Sequence, residues 1–272
     1  MSEIPSRRSG PFRALPAKAL SGRLKAPGDK SVSHRALILG ALAHGETRIT
    51  GLLESEDVLN TAKAMAALGA GVERTGAGAW TVLGTSGRLA TPDAPLDFGN
   101  SGTGVRLVMG AVAGSGVAAE FVGDESLSSR PMRRVTDPLD AMGALFETSD
   151  GRLPARLSPS KLHGIDYTPP VASAQVKSAI LLAGLSADGE TCVHEPQITR
   201  DHTETMLAAF GASIDVRRDG PASTIRLTGP QTLTACNVDV PGDPSSSAFA
   251  IVAALVTPGS EVTLTGVMDN PA

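Results

Sequence analysis

Apolar positions along the chain gather in four blocks of one kind. Each block opens with small polar residues, continues as an apolar helix rich in Ala and Leu, breaks at Gly and ends in a β-like stretch. The openings are Pro27-Gly28-Asp29-Lys30-Ser31, Phe98-Gly99-Asn100-Ser101-Gly102-Thr103, Ala172-Ser173-Ala174-Gln175 and Pro241-Gly242-Asp243-Pro244-Ser245. They recur at a spacing of roughly 70 residues, longer than the usual solenoid periods. Between them lies a second shared element, an amphipathic helix with apolar residues at steps of three and four, such as Met206, Ala209 and Phe210. It stops at Gly69, Gly143 or Gly211, where a glycine suits a left-handed C-cap. A strand, a turn and another strand follow, as in Thr224-Ile225-Arg226-Leu227. The pattern predicts an α/β (α+β) fold built on a β-α-β-α-β-β unit. Three copies are complete and a fourth stops soon after Gly266. Residues 24–239 are therefore expected to close on themselves as one three-repeat domain, with 240–272 as the start of a second.

Composition adjusts this picture only slightly. Aromatic residues make up 3% of the 272, so Ala and aliphatic side chains must fill the core. The net charge of −4 argues against a nucleic-acid surface, which would show a basic stripe, but not against small anions held by local charge. Two cysteines far apart, Cys192 and Cys236, give no disulfide framework, so a reducing cytoplasmic setting is expected. The first ten residues lack the apolar stretch of a secretory signal, and no run of ~20 apolar residues predicts a membrane span. The five histidines are scattered, without an HExxH pair or a Cys/His group at metal-ligand spacing, so neither a metal nor a cofactor is expected. A serine-hydrolase elbow and a Walker loop are absent as well.

Chemistry concentrates at the block openings. In Gly28–Arg35, Asp29 or Ser31 can cap a helix whose N-terminus favours an anion. Lys30 adds a point charge, and Arg35 lies one turn beyond Ser31 on the same face. Gly99-Asn100-Ser101-Gly102-Thr103-Gly104 lets backbone N–H groups approach a ligand closely. In Ser126–Arg134, Pro131 fits a first helical turn and Arg130 its entrance, placed to grip a carboxylate. Ser173-Ala174-Gln175-Val176-Lys177 groups hydroxyl, amide and helix N-terminus. In Thr199–Glu204, Thr199 could cap a helix with Asp201 and Glu204 in its first turn, leaving Arg200 and His202 without that explanation. Taken singly, these segments fit capped helices, a plain turn or a solvated basic run equally well.

Taken in order and spacing, Gly28–Arg35, Gly99–Thr103, Arg130-Pro131-Met132 and Ser173-Ala174-Gln175 resemble EPSP synthases. Ser-Ala-Gln-x-Lys and Arg200-x-His202-x-Glu204 are similar to the second bacterial class in particular. The resemblance covers the chain after about Ser21. It implies two domains of three βαβαββ units each, with helix N-termini facing a cleft and residues 1–23 packing with the segment after Asp239. It implies transfer of the enolpyruvyl group of phosphoenolpyruvate to the 5-hydroxyl of shikimate 3-phosphate, without a cofactor, by a monomer when full length. Lys30, Ser31, Arg35, Ser173, Ala174, Gln175 and Arg200 would hold shikimate 3-phosphate. Lys30, Asn100, Gly102, Arg130 and Gln175 would hold phosphoenolpyruvate, with Lys30 catalytic. Because the family's acidic and basic residues of the second domain have no counterpart before Ala272, the chain is expected to bind shikimate 3-phosphate weakly without turnover. Gly102, in place of Ala, implies sensitivity to glyphosate. Two alternatives stand beside this: a non-catalytic binding fragment, and the sibling transferase acting on UDP-N-acetylglucosamine. The sibling uses a loop cysteine, whereas Cys192 and Cys236 fall in β-like stretches, and Gly28-Asp29-Lys30-Ser31 is the wrong opening for it.

Overall fold

The computed structural model describes residue 15 and residues 18–270. The N-terminal segment expected to join a second domain therefore falls mostly outside the described residues. The chain begins with β1 (Ser21–Lys25), then α1 (Lys30–Leu42), β2 (Glu46–Thr50), α2 (Glu56–Ala67), β3 (Gly71–Gly76) and β4 (Ala79–Leu83). A second round gives β5 (Leu96–Asp97), α3 (Gly102–Ala113), β6 (Ala119–Val122), α4 (Glu125–Ser128), α5 (Arg133–Ala141), β7 (Leu145–Ser149) and β8 (Arg152–Ser158). A third gives β9 (Asp166–Tyr167), α6 (Ala174–Gly184), β10 (Gly189–Glu195), α7 (His202–Ala209), β11 (Ile214–Asp219) and β12 (Ala222–Gly229). After β13 (Val238–Asp239) come α8 (Pro244–Leu255) and β14 (Glu261–Thr265).

Three four-stranded sheets share one plan: a two-residue parallel strand, a longer strand, and an antiparallel hairpin whose second strand lies inside. Their orders are β5-β6-β8-β7, β9-β10-β12-β11 and β13-β2-β4-β3. The first round departs from a simple tandem repeat. Its own leading strand β1 pairs in parallel with β14, and the place left beside β2 is taken by β13, with Val238 opposite Ile49. The chain thus exchanges strands between its first and last rounds. The crossing segments are tied together, since Asp29 N–H donates to Pro241 O at 2.7 Å and Asp243 N–H to Pro27 O at 2.7 Å. The approach is so close that a Cβ on Gly242 would lie 2.5 Å from Ala26 Cβ.

The repeat persists down to single hydrogen bonds. Gly69, Gly143 and Gly211 have φ of +98°, +103° and +83°. At each, the following N–H reaches back five residues, Ala70 to Met65 O, Ala144 to Leu139 O and Ala212 to Leu207 O. This is the Schellman stop that the glycine pattern predicts. At the other helix starts, Asp29, Ser101, Ser173 and Asp243 are the N-caps, each with a side-chain oxygen accepting a backbone N–H.

The core sits where α1, α3 and α6 meet under the three sheets. Leu37, Ile38, Leu107, Val108, Ile180 and Leu181 are fully buried, each contributing about 1.5–3 kcal/mol. Small residues set how near the helices come: a Cβ on Gly110 of α3 would lie 2.3 Å from Ala179 O of α6. Three local expectations are corrected. α5 begins at Arg133, so Pro131 stands just ahead of its N-cap Met132 instead of in its first turn. The cap of α7 is Asp201 and not Thr199, whose hydroxyl donates to Glu195 Oε1. Cys192 lies in β10 as the β-like pattern suggests, but Cys236 lies in irregular chain before β13, because the strand there is only two residues long.

Candidate functional site

Four capped helix starts point into one hollow. A cavity of about 490 Å³ is lined by Lys30, Ser31 and Arg35 of α1, Thr103 of α3, Ser173, Ala174 and Gln175 at the start of α6, Arg200 just ahead of α7 and His202 at its first position. Asp29, Asp243 and Ser245 complete it. Each helix start presents backbone N–H groups and a partial positive charge, and Lys30, Arg35 and Arg200 add full charges. The two acids are engaged in capping: Asp29 accepts from Val32 N–H at 2.8 Å, and Asp243 from Ser245 N–H at 2.8 Å. Such a wall suits an anion with several oxygens.

The cations differ in how firmly they are held. Arg200 is exposed and has no hydrogen-bond or ion-pair partner among the described residues. Lys30 is half exposed, with Nζ 3.2 Å from Asp57 Oδ2. Arg35 is buried and donates to Ser31 O at 3.0 Å, Ser178 Oγ at 2.7 Å and Thr203 Oγ1 at 2.7 Å. Burial brings its pKa down to about 10, against the pull of Glu204 and Asp29, so it stays a cation at neutral pH. Arg35 therefore braces the floor of the cavity as well as charging it. His34, next to it, is a neutral core residue: burial, then Arg35 and Lys30, hold its pKa down to about 3. Burial and then Arg35 also push His202 down, and Asn270 Nδ2 lies 3.2 Å from its Nδ1.

Beside this hollow lies a guanidinium cluster. Arg130 Nη2 donates to Asn100 Oδ1 at 2.7 Å, while Asn100 Nδ2 donates to Asp124 Oδ2 at 2.9 Å. Arg106 Nη1 donates to Gly102 O at 3.1 Å and to Gln175 Oε1 at 2.9 Å, and Gln175 Nε2 donates to Thr103 Oγ1 at 2.9 Å. Gln175 thus joins the cluster of Asn100, Gly102 and Arg130 to the cavity. Arg106 is buried with Nε unpartnered, and burial, then Arg134 and Arg130, lower its pKa. Adjacent guanidiniums repel one another, and a bound anion would relieve that repulsion. A Cβ on Gly102 would lie 3.0 Å from Arg130 Nη1 and 3.1 Å from Arg106 Nη1.

Beneath the cavity, Lys177 is buried with Nζ 2.6 Å from Glu204 Oε1 and 2.9 Å from Glu195 Oε2. Burial raises the pKa of Glu204, and the Lys177 ammonium opposes that rise. This ion group fixes α6 to β10 and α7, and so fixes the helix starts above it.

Every residue given a ligand role by the family resemblance falls in the cavity or the adjoining cluster. Arg106, and Thr103, Asp243 and Ser245 of the block openings, join the site without a ligand role read from the sequence. Arg106 had a signal, a lone cation inside an otherwise apolar helix. Asp243 had one too, since it occupies the position of Asp29 in the repeat.

The family model described as EPSP synthase (3-phosphoshikimate 1-carboxyvinyltransferase) matches residues 15–272. The curated 3-phosphoshikimate 1-carboxyvinyltransferase of Maricaulis maris (strain MCS10) is 71% identical over 266 residues, 98% of this chain and 60% of its own length. That of Afipia carboxidovorans is 62% identical over 268 residues, 97% of this chain and 60% of its own. A solved structure of EPSP synthase from Acinetobacter baumannii superposes with a TM-score of 0.85 at 46% identity, over 93% of this chain and 57% of that one. The chain thus spans about 60% of the length of the curated relatives it matches. With helix starts, cations and fold all agreeing, the chain belongs to the EPSP synthase family.

Proposed function

We propose that this chain forms the shikimate 3-phosphate wall, and part of the phosphoenolpyruvate wall, of an enolpyruvyl transferase. Lys30, Ser31, Arg35, Ser173, Ala174, Gln175 and Arg200 hold shikimate 3-phosphate. Lys30, Asn100, Gly102, Arg130 and Gln175 hold phosphoenolpyruvate, joined by Arg106. The observation that carries this reading is the convergence of four helix N-termini and three cations on one cavity. In the reaction the 5-hydroxyl adds to C2 of phosphoenolpyruvate, C3 gains a proton, and the tetrahedral intermediate releases phosphate. The wall described here binds and polarises, with Lys30 at the meeting point of the two anions. Residues 24–239 would be one domain, with 1–23 and 240–272 in the other, a reading supported by the β1–β14 pairing. Two free cysteines fit a cytoplasmic setting.

Calorimetry of the 272-residue chain with shikimate 3-phosphate tests the assignment. We expect binding that weakens with salt and drops by about tenfold or more in Lys30→Ala, as loss of a charge-assisted contact implies. Equal heats from wild type and variant would remove Lys30 from the site.

No helix of the described residues is long and apolar enough to cross a membrane. Glyphosate would take the phosphoenolpyruvate side, and Gly102 leaves it room. We expect Gly102→Ala in the full-length enzyme to raise the inhibition constant for glyphosate more than the Michaelis constant for phosphoenolpyruvate. The added methyl displaces the flexible ends of Arg130 and Arg106, not backbone.

A further inference from the structure

We infer that the outer face of the third sheet carries a binding site for a thiophilic divalent cation of the zinc type, made by Asp166, Cys192 and His194. None of the three lines the anion cavity. Cys192 and His194 stand two apart on β10, so they share one face of the sheet. Asp166 on the short parallel strand β9 is the direct neighbour of Cys192. The sequence showed no group at metal-ligand spacing because the third ligand comes from a strand 26 residues earlier, brought alongside only by the pairing of Asp166 with Cys192.

Their ligand atoms crowd a single point. His194 Nε2 lies 3.1 Å from Asp166 Oδ1, 3.1 Å from Asp166 Oδ2 and 3.3 Å from Cys192 Sγ. All three ligand atoms fall within 4.8 Å of one another. In a tetrahedral zinc site, bonds of about 2.0–2.3 Å set ligand atoms about 3.3–3.6 Å apart, so a spread of a few tenths of an ångström would admit the ion.

Hydrogen bonding satisfies His194 and Asp166 but leaves the neighbouring thiol out. With a proton, Nε2 suits the carboxylate and leaves the thiol proton unused. Without one, it accepts from the thiol but turns its lone pair on the carboxylate. A divalent cation satisfies sulfur, nitrogen and oxygen together.

The surroundings are those of a supported ligand set. His194 Nδ1 lies 3.2 Å from Thr224 Oγ1 on β12, which fixes the ring. Arg226 pairs across the sheet with Cys192 and helps wall the site on the β12 side. Cys192 is buried, whereas the side chains of His194 and Asp166 are 34% and 76% exposed, which leaves a fourth position for water. Binding forms a metal–sulfur bond and releases the thiol proton to solvent. The ion would clamp the two-residue strand β9 onto β10, seven residues before the cap Ser173 of α6.

The test is titration of the reduced, metal-free chain with Co2+ and then Zn2+. One Co2+ per chain is expected, with a thiolate-to-cobalt charge-transfer band and d–d bands of tetrahedral intensity, all erased by one equivalent of Zn2+. His194→Gln and Asp166→Asn should lose tight binding while their metal-free thermal midpoints match the wild type. Zn2+ should raise the midpoint of the wild type and not of these variants. Cys192→Ser should lose the charge-transfer band, and Cys236→Ser should keep it. Absence of that band at saturating Co2+ overturns the site, as does its survival in Cys192→Ser. Wild-type binding no tighter than that of His194→Gln does so too, and this outcome holds even if Cys192→Ser fails to fold.

Discussion

Helices α3 and α8 are built to the same recipe and meet opposite fates. Both begin at a capping residue beside the cavity, and both are rich in small and aliphatic residues. In α3 nearly every position is buried against α1, α6 and the sheets. In α8 only Ser247 is buried, and Phe249 is 83% exposed. The difference lies in partners. The three rounds from β2 to β13 close around one another, while α8 lies against β14, the strand paired with β1. An all-apolar helix therefore signals what its face expects to meet, and does not by itself supply the partner.

Substitutions can sharpen or break this contrast. The largest effect should come from Lys177→Met inside the closed region. It leaves Glu195 and Glu204 buried without their cation, and removal of one partner from such a group costs about 3–5 kcal/mol. Urea unfolding at neutral pH measures it. Burial already pushes the Glu204 carboxyl up, so the unpaired acid takes a proton more readily and the loss should shrink as pH falls. A loss below about 1 kcal/mol at neutral pH, within the range of an exposed pair, would mean that the closed region tolerates an unpaired charge.

Next in size is Gly110→Ala. The new methyl meets backbone atoms of Ala179, O at 2.3 Å and Cα at 2.7 Å, so α3 and α6 must part. Overpacking of this kind costs about 1–3 kcal/mol, against which Ala regains about 1 kcal/mol of helix propensity. A net rise in thermal midpoint would show that the helix crossing is looser than its geometry.

The smallest effect on stability should come from Phe249→Ser in α8, within about 0.5 kcal/mol, since the ring touches little. The same change should reduce binding of a hydrophobic dye by the 272-residue chain. A large drop in stability instead would place Phe249 in a packed interface and erase the contrast with α3.

Much of this molecule is legible along the chain. The three Schellman glycines, the four capped openings and the apolar helices show themselves because each is a local device, complete within one or two turns. Lys30, Ser31 and Gln175 stand out because they sit in those openings, and Arg200 because it stands just ahead of α7. Arg106 escaped notice because its role depends on Gln175, which lies in a different round. The exchange of β1 for β13 escaped the repeat pattern because strands of two residues leave almost no periodicity to read.

By itself the sequence determined the repeating unit, the helix starts and stops, and the supply of cations at the starts. These follow from short-range sterics and hydrogen bonding that each segment carries wherever it lies. Only the tertiary structure decided that four starts share one hollow, that Lys177 answers two acids, and that Asp166 meets Cys192 and His194. Those outcomes depend on which strands pair, and pairing is fixed by burial of faces drawn from distant parts of the chain.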